Sequence, residues 1–182
     1  MALLPAARFT DSNLHSLTLL SMVNLSLQHG NCDASCLAYA ELSHGREGVS
    51  FGQIGFALVE QRGFVRFKTK VYTVFAYHVL PWTRHLRAGL ELMRRSFVAA
   101  TETGDHTFVA FCTVHLIALR LALGDPLADL QRDAEQDLAR MRRMKFGLIV
   151  DCLAGLLVPI YALRGLTPNF PSSGDMVSDE TS

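Results

Sequence analysis

The sequence predicts an all-α protein, a tetratricopeptide-like stack of about eight helices arranged as antiparallel pairs. Three observations carry that reading. Apolar residues recur at steps of three and four, helix-stopping glycine, proline and aspartate punctuate the chain, and no alternating run or hairpin signal marks a strand.

The first helix is expected from Ser12 to Gln28, ending at Gly30, and the second from Asp33 to Leu42, ahead of the stretch Ser43 to Gly48. The third, Val49 to Arg62, sets Phe51, Ile54 and Leu58 on one face and stops at Gly63, which takes the left-handed cap conformation cheaply. The fourth, Arg66 to Val79, carries Phe67, Val71, Val74 and Phe75, and Leu80-Pro81 closes it because a residue before proline disfavours helical geometry.

The fifth, Thr83 to Thr103, shows one stripe of Leu86, Leu90, Met93, Phe97 and Ala100. Gly104 ends it, and Asp105 can accept backbone hydrogen bonds at the start of the sixth, His106 to Leu123, which is apolar nearly all round and therefore central. Asp125-Pro126 reads as an N-cap followed by proline at the first position of the seventh helix. That helix runs to Met144 with the stripe Leu127, Leu130, Ala134, Leu138 and Met141, its acids early and its bases late, as the helix dipole favours. Gly147 ends it, and the eighth follows to Arg164.

The helix-ending glycines Gly63, Gly104 and Gly147 recur at 41 and 43 residues, and Pro81 and Pro126 keep an offset of 45. Such a period suits stacked helix pairs, since one pair cannot hide its apolar face without a neighbour. A globular eight-helix bundle is the alternative, equally all-α. The organisation expected is a flexible N-terminus (1–11), a helical-repeat domain (12–166) and a polar, disordered tail (167–182) whose composition cannot repay the entropy of ordering.

Composition narrows function. The 182 residues are 49% apolar and 19% charged with a formal net charge of zero, so no long-range field draws nucleic acid or anionic lipid. The N-terminal apolar run is too short for a secretory signal, which places the chain in the cytosol, and Leu148 to Leu163, interrupted by Asp151 and Pro159, reads as a buried helix rather than a membrane span.

Cys32, Cys36, Cys112 and Cys152 are too scattered for a disulfide framework and read as reduced. His29 with Cys32 and Cys36, and Cys112 with His115, offer metal-ligand pairs, but structural zinc shows tighter spacing and burial on an apolar helix is the better account of Cys112 and His115, so no metal is expected. There is no GxxxxGK[ST] phosphate loop, no HRDxxxxN or DFG, and no GxSxG elbow. No catalytic or cofactor-binding residue is therefore assigned, and the chain is expected not to be an enzyme on its own. One candidate interaction surface stands out: Trp82, Arg84, His85 and Arg87 put an aromatic and three basic side chains in six residues. The basic run Arg140 to Lys145 is a second place for an acidic partner, though a solvated helix cap explains it as well.

The strings MVNLSLQHGNCD, FGQIGFALVEQRG, FKTKVY, PWTRHLRAG, FVAATETGD, GDPLADLQRDAEQDLA, KFGLIVD and LRGLTPNF resemble, over about residues 18–170, the helical segment of multi-sensor signal transduction multi-kinases. In that family a serine/threonine kinase domain, an AAA-type ATPase, a tetratricopeptide-like region, and GAF and histidine kinase modules follow one another. The resemblance implies a fragment matching the third part alone, a non-catalytic interaction or coupling module, with none of the family's catalytic residues to carry over. It implies protein partners, among them separately encoded kinase or ATPase modules, and self-association through exposed repeat ends. Two other roles fit the same residues: part of a kinase or ATPase assembled in trans, and a small-molecule sensor.

Overall fold

The computed structural model describes residue 7 and residues 10–166, apart from the Val65 side chain; the expected tail (167–182) and most of the expected N-terminal segment (1–11) lie outside the described residues. These residues form eight helices and no strand: α1 (Ser12–His29), α2 (Asp33–Glu41), α3 (Val49–Arg62), α4 (68–83), α5 (Leu86–Glu102), α6 (His106–Ala122), α7 (Leu127–Arg143) and α8 (Gly147–Leu163). A 3-10 turn, Val65–Phe67, leads into α4. The chain divides into two compact units, Met1–Leu116 and Ile117–Ser182, and α6 supplies residues to both.

In the first unit, Asp11 caps α1: its carboxylate accepts the Asn13 and Leu14 N–H groups at 2.9 and 3.0 Å. Leu19 and Val23 turn inward, and a buried Ser26–Ser35 hydroxyl contact of 2.6 Å joins α1 to α2. Every residue of α2 from Ser35 to Glu41 is buried.

Helix α3 has the expected bounds but not the expected inner face. Phe51 and Ile54 are 40% and 44% exposed, and the buried positions are Gly52, Gly55, Leu58 and Val59. The reason is close approach. A Cβ on Gly55 would sit 2.6 Å from the Cys36 carbonyl oxygen, and one on Gly48 would sit 2.6 Å from the backbone carbon of Ser43. Missing side chains let α3 lie against α2, and contact distance overrides hydrophobic patterning.

Helix α4 does not end at Leu80-Pro81. It runs as α-helix over Lys68–Val74, widens to a π turn over Phe75–Val79, and resumes over Leu80–Thr83. Pro81 has no N–H, and its ring would crowd the Tyr77 carbonyl in a regular helix. The π turn relieves this by sending the Leu80 N–H to the Phe75 carbonyl, and the chain passes its proline without stopping. Helix α5 accordingly begins at Leu86 rather than Thr83. Of its predicted stripe Leu90, Met93 and Ala100 are buried, and Leu86 and Phe97 are partly so.

Between α4, α5 and α6 lies a buried polar knot. Ser96 Oγ donates to the Thr69 carbonyl at 2.8 Å and meets Thr73 Oγ1 at 2.8 Å, while Cys112 Sγ is 3.5 Å from both hydroxyls. Buried hydroxyls must be satisfied, and here each one is. As expected, Asp105 accepts the Phe108 N–H at 3.1 Å, and no residue of α6 from Phe108 to Leu121 is exposed.

In the second unit α7 packs on α8 through Leu130, Ala134, Leu138 and Met141 against Ile149, Leu153, Leu157 and Ile160, all buried. Asp125 is not the cap of α7. Its carboxylate takes the Arg120 guanidinium at 2.9 Å, which also holds Asp133 at 2.9 Å, and a charged donor outcompetes a backbone amide. Pro126 occupies the N-cap instead, at ψ 121, and is therefore no counterpart of Pro81 inside α4.

Gly147 likewise does not end α7; it opens α8, and the left-handed residue is Lys145 at φ 60. This correction sharpens the repeat. The left-handed positions Gly63, Gly104 and Lys145 are 41 residues apart at both steps, as are Gly124 and Gly165. Helices α5 to α8 are each 17 residues long and begin 20, 21 and 20 residues apart. Each ends in the same paired bonds, exemplified by Asp105 N–H to Ala100 and Gly104 N–H to Thr101, repeated at Asp125/Gly124, Phe146/Lys145 and Leu166/Gly165.

Candidate interaction surface

The four residues singled out in the sequence meet at the α4–α5 corner. Trp82 stands in the last turn of α4, 58% exposed. Thr83 Oγ1 donates to the Val79 carbonyl at 3.2 Å, and the Arg84 N–H closes the turn on the Leu80 carbonyl at 2.8 Å. Arg84 then swings to extended backbone, φ −147, and turns the chain. His85 caps α5, its Nδ1 accepting the Arg87 N–H at 3.2 Å. Arg84, His85 and Arg87 are all exposed, and neither arginine has an ion-pair partner among the described residues. The corner is thus a solvated cationic edge around an indole, a pairing suited to acidic groups and to aromatic or apolar anchors.

A second group of rings adjoins it in sequence and was not singled out there. The π turn carries Tyr77 and His78; Tyr77 lies 4.2 Å from the His115 ring, and His78 lies 4.6 Å from the His44 ring. Tyr77 is 42% exposed. Only Pro81 hinted that α4 would be irregular here; which rings the irregularity brings together depends on where α6 and the loop after α2 run.

Other polar groups explain themselves structurally. Tyr72, wholly buried, donates to the Glu60 carboxylate and accepts from Arg95 at 2.9 Å, with Lys68 and Arg95 over its ring. Burial, aided by the Glu60 bond, pushes its phenol up to about 12. Cys36 and Cys112 are buried, burial holding the Cys36 thiol up at about 11 and raising that of Cys112. Cys32 and Cys152 are exposed, and the Ser35 hydroxyl draws the Cys32 thiol below its ordinary value. His29, Cys32, Cys36, Cys112 and His115 do not assemble: among the described residues no three histidine, cysteine or acidic side chains form a metal-sized group. No helix of the described residues is long and apolar enough to cross a membrane.

Comparison with known proteins adds one relation. Over 147 aligned residues the chain is 25% identical to the hybrid signal transduction histidine kinase G of Dictyostelium discoideum. That stretch takes in 74% of this chain and 4% of the far longer kinase. The chain is therefore distantly similar to one region of a signalling kinase. No protein-family model and no solved structure matches it.

Proposed function

We propose that this chain is a tetratricopeptide-like interaction and coupling module of a signalling kinase system, transmitting or gating rather than catalysing. The observation that carries the reading is the 41-residue backbone repeat, in which two successive helix pairs share helix length, spacing and terminal bonds. Such repetition is what stacked helical repeats are built from, and their common use is to present a surface to other proteins. The distant likeness to a region of a histidine kinase supplies the signalling context, and the motif-free sequence supplies no phosphate loop with which the chain would act alone.

In this reading the α4–α5 corner receives an acidic segment of a partner module, Trp82 as the anchor and Arg84 and Arg87 as its cationic flank. The test is capture of kinase and ATPase modules from the chain's own cells. Trp82→Ala with Arg84→Glu and Arg87→Glu should reduce capture at least tenfold while leaving the melting temperature within about 1 °C, since exposed substitutions change stability little. Undiminished capture would remove the corner from the interface, and ATP turnover by the purified chain alone would overturn the non-catalytic assignment.

A further inference from the structure

Helix α1 carries a face that no other part of the described chain covers. Leu17, Leu20 and Leu27 are 64%, 56% and 72% exposed, although Leu19, Val23 and Ser26 on the opposite side are buried. Together with exposed Asn24, these leucines fall at 17, 20, 24 and 27, steps of three, four and three, while Leu25, 54% exposed, lies to one side of the stripe. That is the a, d, a, d register of a two-stranded coiled coil, with one asparagine at an a position, the device that selects a paired, in-register arrangement.

The charge pattern points to the same occupant. From Ser12 to Gln28 there is no acidic residue, no lysine and no arginine, and Ser21 and Gln28, which flank the stripe, are uncharged. A charged partner would find no counter-ion along this face, whereas an identical face meets it leucine to leucine and asparagine to asparagine. Short helices of this kind are marginal when isolated, but α1 is already held helical by its Asp11 cap and by α2, so pairing pays no nucleation penalty.

We propose that two copies of this chain associate through α1, parallel and in register, with Leu17, Leu20, Asn24 and Leu27 at the seam. The proposal goes beyond the interaction-module reading and does not rest on it. Light scattering with size exclusion on the full chain should show a dimer at tens of micromolar, and Leu20→Glu with Leu27→Glu should return it to monomer with unchanged helical circular dichroism. Orientation is read by Leu17→Cys in a background with Cys32 and Cys152 replaced by serine. Parallel helices place the two introduced thiols side by side, whereas antiparallel ones separate them by about 15 Å, so rapid disulfide formation is expected. A chain that stays monomeric overturns the proposal, as does a dimer indifferent to the glutamate substitutions or one in which the cysteine fails to cross-link. A monomer that floats with uncharged phosphatidylcholine vesicles would assign the stripe to lipid and equally overturn it.

Discussion

Replacing Gly55 by alanine sets two physical effects against each other within α3. Alanine is the better helix former by about 0.8–1.0 kcal/mol, so on local grounds the substitution should stabilise. The packing says otherwise. A Cβ at this position would lie 2.6 Å from the Cys36 carbonyl oxygen, 2.9 Å from the Ala40 nitrogen and 3.3 Å from the Ala40 Cβ, where ordinary contact begins near 3.4 Å. Two of the three obstructing atoms are backbone, so no side-chain rotation clears them, and α2 and α3 must part by several tenths of an ångström. Overpacking of this kind costs about 1–3 kcal/mol. The expected net loss is about 1 kcal/mol, and for a chain of this size that lowers the melting temperature by roughly 2–4 °C. Gly155 is the internal control: it lies within α8, is exposed, and has nothing within 4 Å of a built Cβ. Gly155→Ala should therefore raise the melting temperature by a similar amount. Thermal unfolding followed by far-UV circular dichroism, run on both variants beside the parent chain, decides the matter. If Gly55→Ala melts at or above the parent, the inference that α3 turns its glycine face to α2 is wrong.

Two further outcomes follow from single residues. Lys145 occupies the left-handed region at φ 60, which disfavours a non-glycine residue by about 1–2 kcal/mol against a smaller entropic penalty for glycine in the unfolded chain; Lys145→Gly should stabilise by about 0.5–1 kcal/mol in urea denaturation, and a loss would count against the cap assignment. Tyr72 keeps its proton up to about 12 in the folded state against an ordinary value of 10. The folded state thus holds this proton more tightly than the unfolded one, so the stability it contributes is whole below pH 10 and drains as pH climbs toward 12. Tyr72→Phe should flatten that alkaline slope in denaturation measured pH by pH; an unaltered slope would show that the phenol is not so held.

Where local chemistry decides structure, the sequence was legible. Helices α5 and α7 each display a single apolar stripe; in α7 the buried residues are all stripe residues, and in α5 Leu90, Met93 and Ala100 are buried together with Gly89, Leu92 and Ser96 beside them, because a helix with one oily side has only one way to face a core. Asp105 caps α6 and Gly63 and Gly104 end their helices because a carboxylate near free amides and a residue without Cβ act within a few positions of themselves. The corner residues Trp82, Arg84, His85 and Arg87 were also visible as a group, being neighbours in the chain.

Tertiary structure decided the rest. Phe51 and Ile54 look like core and are exposed, because how closely α2 approaches α3 is settled by both helices together and rewards the small face over the greasy one. Pro81 looks like a stop and is carried through a π turn, since burial of Val79 and Leu80 immediately before it favours keeping the helix intact. Asp125 looks like a cap and is claimed by Arg120, which it shares with Asp133. The rings of His44 and His115, both far away in sequence, reach the adjacent Tyr77 and His78 only through the fold. Sequence alone thus determined which segments are helical and roughly where they end, since those choices rest on nearest neighbours along the chain. Which side each helix hides, and which polar groups find one another, depended on distances between segments, and no local pattern encodes those.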